Sequence, residues 1–503
     1  MRALLIAALT VSAISMSGVG GFDTHGDVGS PKIAGSAAYN PLSQEYALSA
    51  AGTNMWAKRD EFQFVSRALG GDFILQARVR FAGKGVDPHR KAALMIRATM
   101  DPDSPYVDAV VHGDGLTSLQ FRRAKGAITE ETRSQITGAD VLQLERRGPR
   151  FIMSAAKFGD PFVVTEVADL TLPDAVIAGL ALCSHNPDVV ERAVFGNVRV
   201  IRPAAANFRP YRDYIGSVLE VLDIATGDRR VLRSSVDPFE APNWTRDGGA
   251  LIYNTSGAGD TRGRLVRYDL ASDSTTTIDT ATVIRNNNDH VLSFDGTMLA
   301  ISDSSAGNGS AIYTVPASGG TPKRITPLTP SYMHGWSPDG RTLVYTAQRD
   351  NDFDIFAVAA DGSGVERNLT KSNGLDDGPE YSPDGNFIYF NSVRSGSMQI
   401  WRMRPDGSNP EPLTNDDWNN WFPHVSPDGQ SVAFISFPKD VDPADHPYYK
   451  HVLLRVMPAA GGPARVVAYV YGGQGTMNVP SWSPDSRMIA FVSNSGDLST
   501  SRK

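Results

Sequence analysis

The stretch Trp336-Ser337-Pro338-Asp339-Gly340, with the strand-like run from Thr342 to Ala347 behind it, decides how this chain folds. Proline sets φ at the first corner of a turn, aspartate bonds nearby backbone amides, and glycine accepts positive φ. The same grammar occurs at Trp244-Thr245-Arg246-Asp247-Gly248, Leu292-Ser293-Phe294-Asp295-Gly296 and Tyr381-Ser382-Pro383-Asp384-Gly385. It returns at Val425-Ser426-Pro427-Asp428-Gly429 and Trp482-Ser483-Pro484-Asp485-Ser486. The six aspartates are 48, 44, 45, 44 and 57 residues apart, so they read as turn residues of a repeat rather than as catalytic groups. After Asp339 come three strands, Thr342 to Ala347, Asp354 to Ala359 and Val365 to Thr370. Four antiparallel strands at this period make one propeller blade. The sixth copy is followed only by Met488 to Ser493, and the hairpin Ser217 to Leu222 with Arg230 to Leu232 is expected to complete it, closing the ring without a free edge.

Composition agrees with a turn-rich β protein: 503 residues carry 47 glycines and 32 prolines. A formal net charge of −7 argues against a nucleic-acid footprint, which needs a clustered basic face. The single thiol, Cys183, excludes an internal disulfide and a thiolate zinc site. Met1-Arg2, the apolar run Ala3 to Met16 and the small residues from Ser17 to Gly21 have the layout of a secretory leader, 1–21, and are too short to span a bilayer. The mature protein is therefore expected to be periplasmic or secreted, without a transmembrane segment.

Between 36 and 203 the pattern is different. Runs such as Asp72 to Phe81, Ala92 to Arg97, Tyr106 to Val111 and Val194 to Val200 alternate as half-buried strands do. One β-sandwich is the economical reading. The run Asp72 to Phe81, and Leu94-Met95-Ile96-Arg97 with the turn Asp101-Pro102-Asp103-Ser104-Pro105, resemble the concanavalin-like jelly rolls of secreted glycan-active proteins. That resemblance implies a sugar-binding or domain-packing module, with Trp56 or Tyr106 as a candidate stacking platform. The fold class expected is all-β, a jelly-roll sandwich followed by a six-bladed propeller at 211–496.

The six turns, with Asp354-Ile355-Phe356-Ala357-Val358-Ala359-Ala360-Asp361-Gly362 and Ile400-Trp401-Arg402-Met403-Arg404-Pro405-Asp406-Gly407 between them, resemble the TolB-type propeller and its WD40-like repeats. The resemblance specifies the fold and leaves the function open among interaction scaffolds, peptidase propellers and polysaccharide lyases.

In an up-and-down blade the loop entering the innermost strand and the loop between strands two and three share one face. Counted back from each repeat's aspartate, His290 and His334 stand five before it, and Asn243, Glu380 and His424 four before it. Three functions compete for this mouth. In a glycan pocket, Trp418 and Trp421 stack on a sugar ring, Asn243, Asn419, Asn420, Gln474 and Asn478 bind hydroxyls, and Arg349 and Arg394 take an acid group. In a metal-assisted lyase or hydrolase, His290, His334 and His424 hold a divalent metal while Glu380, His446 or Lys450 serves as base. This second arrangement is similar to that of oligogalacturonate lyases, although no close histidine pair matches their ligands. In a protein scaffold of the cell envelope, rim aromatics and arginines anchor a partner. The expected partner is an oligosaccharide or polysaccharide, with a protein as the alternative; no nucleic acid is expected.

Overall fold

The computed structural model describes residues 18–256 and 262–498. Among these residues every regular element is a strand, and no helix is long and apolar enough to cross a membrane. The apolar run of the expected leader lies outside the described residues. Val19 and Phe22, by contrast, bridge each other and pack in the first core, so the folded chain begins before Gly21.

Two seven-stranded antiparallel sheets form the N-terminal unit. One contains the strands Thr24–Val28, Phe62–Leu69, Val176–Cys183, Lys91–Arg97, Tyr106–His112, Thr117–Arg122 and Glu130–Arg133. The other contains Val163–Val167, Arg150–Ala156, Val141–Arg147, Phe73–Phe81, Glu191–Ile201, Glu45–Ala50 and Ser36–Asn40. They share one core in which Phe73, Leu75, Leu142 and Phe195 meet Leu94, Val107, Leu119 and Leu180. Tyr106 is wholly buried and donates to the Met55 carbonyl at 3.2 Å, so it is a packing residue and not a sugar platform. Cys183 is buried too, and burial pushes its thiol up to about 11.

Five four-stranded sheets and a closing sheet follow. Blade one starts at Phe239–Trp244, blade two at Asn286–Leu292, blade three at Ser331–Trp336, blade four at Asp376–Tyr381 and blade five at Asn419–Val425. In blade six Met488–Ser495 pairs with Gly216–Asp223, which pairs with Arg229–Ser235, while Trp482 bridges Ile489 on the inner side. The N-terminal hairpin thus closes the ring as the repeat count requires.

Each repeat turn is held alike. The Ser or Thr hydroxyl donates to the aspartate at 2.5–2.6 Å, as in Ser337 to Asp339 and Ser426 to Asp428, and Asp339 in turn accepts from the Arg341 amide. Asp339→Ala is expected to cost about 1 kcal/mol in chemical denaturation, without changing the β content seen by circular dichroism.

The sandwich docks on the outer strands of blades five and six. Gln44 exchanges hydrogen bonds with the Val231 main chain, Val466 N–H donates to the Gly159 carbonyl at 2.9 Å, and Tyr469 hydroxyl donates to the Asp160 carbonyl at 2.6 Å. At the centre of this seam Glu220 of blade six is fully buried between Arg199 of the sandwich and Arg229 of blade six. Burial opposes its charge, but the two guanidinium groups hold its carboxyl down to about 2.

Candidate functional site

A cavity of about 1210 Å³ opens on the face carrying the loops that enter the innermost strands. Its geometry follows from a recurring irregularity. In blades one to five the register of the innermost strand against its neighbour slips, between Glu240 and Asn243, Asn286 and His290, Met333 and Gly335, Asp377 and Glu380, and Trp421 and His424. Ala241, Gly378 and Phe422 take positive φ at these places. A bulge adds a residue to one strand and re-aims the side chains beyond it. Positions seven and six before the repeat aspartate therefore face the mouth, among them Glu240, Asp289, Tyr332, Asp377 and Asn478.

One polar group lining the cavity is a pair. His334 Nε2 lies 3.2 Å from Asp377 Oδ1, and Asp377 also accepts from Thr346 Oγ1 at 2.6 Å and from the Gly378 amide at 2.8 Å. Burial disfavours the charged imidazole, but Asp377 and Asp289 hold the pKa of His334 above its ordinary value. His334 stacks on Phe422, and His446 meets the same ring edge-on at 5.2 Å. Beside them burial raises Asp289 to about 6, with the Asp377 charge adding to it. Burial likewise raises Glu240 to about 7, against hydrogen bonding from Tyr448.

One wall comes from outside the propeller. The segment joining the two units carries Phe208, Tyr211 and Tyr214 onto Tyr448, and Tyr211 and Tyr214 line the cavity. Ile215 N–H donates to Tyr449 hydroxyl at 3.1 Å, anchoring the segment.

Of the residues picked from sequence, His334, His446, Gln474 and Asn478 line this cavity. The others do not. His290 is fully buried with Nε2 3.2 Å from the Ile252 carbonyl, and burial lowers it to about 4. His424 is paired with Glu380 at 2.7 Å and faces the Met477 carbonyl with its other nitrogen. Glu380 and Asn243 border a separate space of about 40 Å³ beside Pro383 and Pro427 of the repeat turns. The expected metal set is thereby dispersed: among the described residues no three His, Cys, Asp or Glu are arranged to hold an ion. Arg349 is taken up by Glu366, and Arg394 by Asp376. Trp421 is wholly buried, and Trp418 packs at the seam with the sandwich near Leu453 and Tyr469. Asn419 and Asn420 are buried in hydrogen bonds to Val441, Asp416 and Ser436. Lys450 is exposed at the start of the third strand of blade five, Lys450–Pro458. Glu240, Asp289 and Asp377 were missed because the register slip moves the mouth one to three positions upstream of the residues counted.

The model of the TolB beta propeller domain matches residues 330–500. A TolB candidate of Agrobacterium tumefaciens, whose structure is solved, is 46% identical with a TM-score of 0.53, covering 56% of this chain and 99% of its own. The chain belongs to the TolB β-propeller family. An uncharacterised protein of Agrobacterium fabrum is 47% identical over 277 residues, 55% of this chain and 92% of the relative. TolB from Acinetobacter baumannii is similar at 17% identity and a TM-score of 0.40, over 66% of this chain and 79% of its own. The TolB propeller accounts for the ring, and the match to the Agrobacterium tumefaciens structure covers little more than half of this chain.

Proposed function

We propose that this chain is an exported TolB-type propeller of the periplasm that docks an extended segment of a partner protein in its mouth, without catalysis. The single observation carrying the reading is the cavity of about 1210 Å³ walled by Tyr211, Tyr214, Tyr332 and Tyr448. Tyrosine is over-represented among residues that dominate protein binding, because its large ring is ordered at low entropic cost. The arginines and tryptophans chosen for a sugar are engaged elsewhere, which weakens the glycan reading. A glycan remains the second reading, supported by the same tyrosine faces and by the amides of Gln474 and Asn478. The sandwich acts as a concanavalin-like module that braces blades five and six and sets the linker over the mouth.

Selection of displayed peptides on the full chain tests this. Mouth-binding peptides are expected to emerge and to weaken by about tenfold or more on Tyr332→Ala. Peptides indifferent to Tyr332→Ala, or none at all beside saturable binding of an oligosaccharide, would overturn it.

A further inference from the structure

Among the described residues, two buried amide oxygens on the blade-one and blade-two side of the mouth have no hydrogen-bond donor. Asn286 is 5% exposed; its Nδ2 donates to the Gly263 and Val283 carbonyls, which fixes the amide and leaves Oδ1 without a partner. Asn254, 2% exposed, has an unpartnered Oδ1 as well. Both line the cavity with Glu240 and Asp289, whose charges act on one another. A buried acceptor left without a donor forfeits its hydration with nothing in exchange, so this arrangement calls for a ligand that supplies several donors. Lysine ammonium and arginine guanidinium groups are donors only, and they also favour aromatic faces. Such faces are present in Tyr211, Tyr214 and Tyr448. The carboxylate and amide oxygens are not gathered tightly enough for a bare metal ion, since the described residues hold no cluster of three His, Cys, Asp or Glu.

We propose that the Glu240 and Asp289 side of the mouth binds the cationic head of a lysine or arginine side chain on the docked peptide segment. Asn288, 5% exposed with an unpartnered Nδ2, then takes a peptide carbonyl next to that side chain. The groups facing the cation are Glu240, Asp289 and Tyr448, with the charges of His334 and Asp377 acting on Asp289 and that of Arg262 on Glu240. Arg262, Arg264 and Arg285 line the same cavity, and Arg262 and Arg285 are exposed on its rim. They repel a polybasic run and select a single basic residue with an acidic neighbour. The inference rests on the mouth being the docking site and names what it reads.

The probes are Nα-acetyl-lysinamide, Nα-acetyl-argininamide and Nα-acetyl-norleucinamide, titrated calorimetrically into the full-length chain alongside the selected peptides and chitosan trimer. The cationic amides are expected to bind about tenfold more tightly than the norleucine amide, and to lose that preference in Asp289→Asn and in Glu240→Gln. Peptides whose key lysine becomes norleucine should weaken by at least about tenfold. Selected peptides that bind the mouth but tolerate norleucine overturn the cation site and leave the docking reading intact. Absence of mouth-binding peptides defeats the docking reading instead. Tighter binding of chitosan trimer than of any lysine peptide would overturn the peptide source by assigning the ammonium group to an amino sugar.

Discussion

Glu220→Ala is expected to lower the stability of the full chain by about 3–5 kcal/mol, the largest single-residue effect anticipated. The carboxylate is wholly buried and receives Arg229 Nη2 at 2.7 Å, Arg199 Nη2 and the Ser493 hydroxyl. Removing it leaves two guanidinium groups buried without their counter-charge at the seam between sandwich and propeller. Calorimetric unfolding should then show two separated transitions in place of one, because Arg199 belongs to one unit and Glu220 to the other. The linkage has a definite sign. A carboxyl held at about 2, below an ordinary value of 4.5, contributes stability that is complete above that ordinary value and lost as pH falls from 4.5 toward 2. Replacing all three charged residues by apolar ones of similar volume should cost far less than Glu220→Ala, since the penalty arises from unpaired charge. A loss under about 1 kcal/mol for Glu220→Ala would mean that the triad is a solvated surface pair in effect.

Glu240→Gln is expected to act in the opposite direction. The folded protein holds this carboxyl protonated up to about 7, whereas the unfolded chain ionises it near 4.5. A raised acid pKa means that the folded state binds more protons across that window, so stability falls as pH rises through it. Glutamine is permanently neutral and of nearly the same shape. The variant should match the parent near pH 4 and exceed it by about 1–3 kcal/mol at pH 8, read from denaturant midpoints at the two values. Equal stability of variant and parent at pH 8 would place the carboxylate in contact with water or a counter-charge. A stabilised variant that no longer recognises a cationic side chain is the exchange expected of a residue kept for binding.

The architecture of the ring was legible because its determinants are local. A turn of Ser or Thr, any residue, Asp, and Gly or Ser, followed by alternating apolar residues, specifies a hairpin wherever it stands, and six such turns at blade spacing leave one way to bury the strands. The closing hairpin followed from counting: Met488–Ser495 needed outer partners, and Gly216–Asp223 was the unpaired candidate. The mouth was less legible. Alternation assigns a side chain to a face only while the strand is regular, and the bulges at Ala241 and Phe422 break that rule just where the loops converge. His290 and His424 were therefore expected in the mouth and lie elsewhere, while Asp289, immediately before His290, and Glu240, three before Asn243, reach it. Tryptophan and arginine were read by residue type as ligand groups, yet Trp421 fills a core and Arg394 neutralises Asp376, both common uses of those side chains inside a blade.

The chain's own pattern was sufficient for the number of blades, the position of their turns and the way the ring closes, since each depends on hydrogen bonds and periodicity over a few residues. Tyr211 and Tyr214 carry no signal that would send them to a cavity formed by Glu240 and Asp289. They reach it because the sandwich docks on blades five and six, clamped through Arg199 and Glu220, and so carries the linker across the mouth. Contacts between residues far apart in sequence depend on how preformed surfaces fit together, and no local propensity encodes that fit.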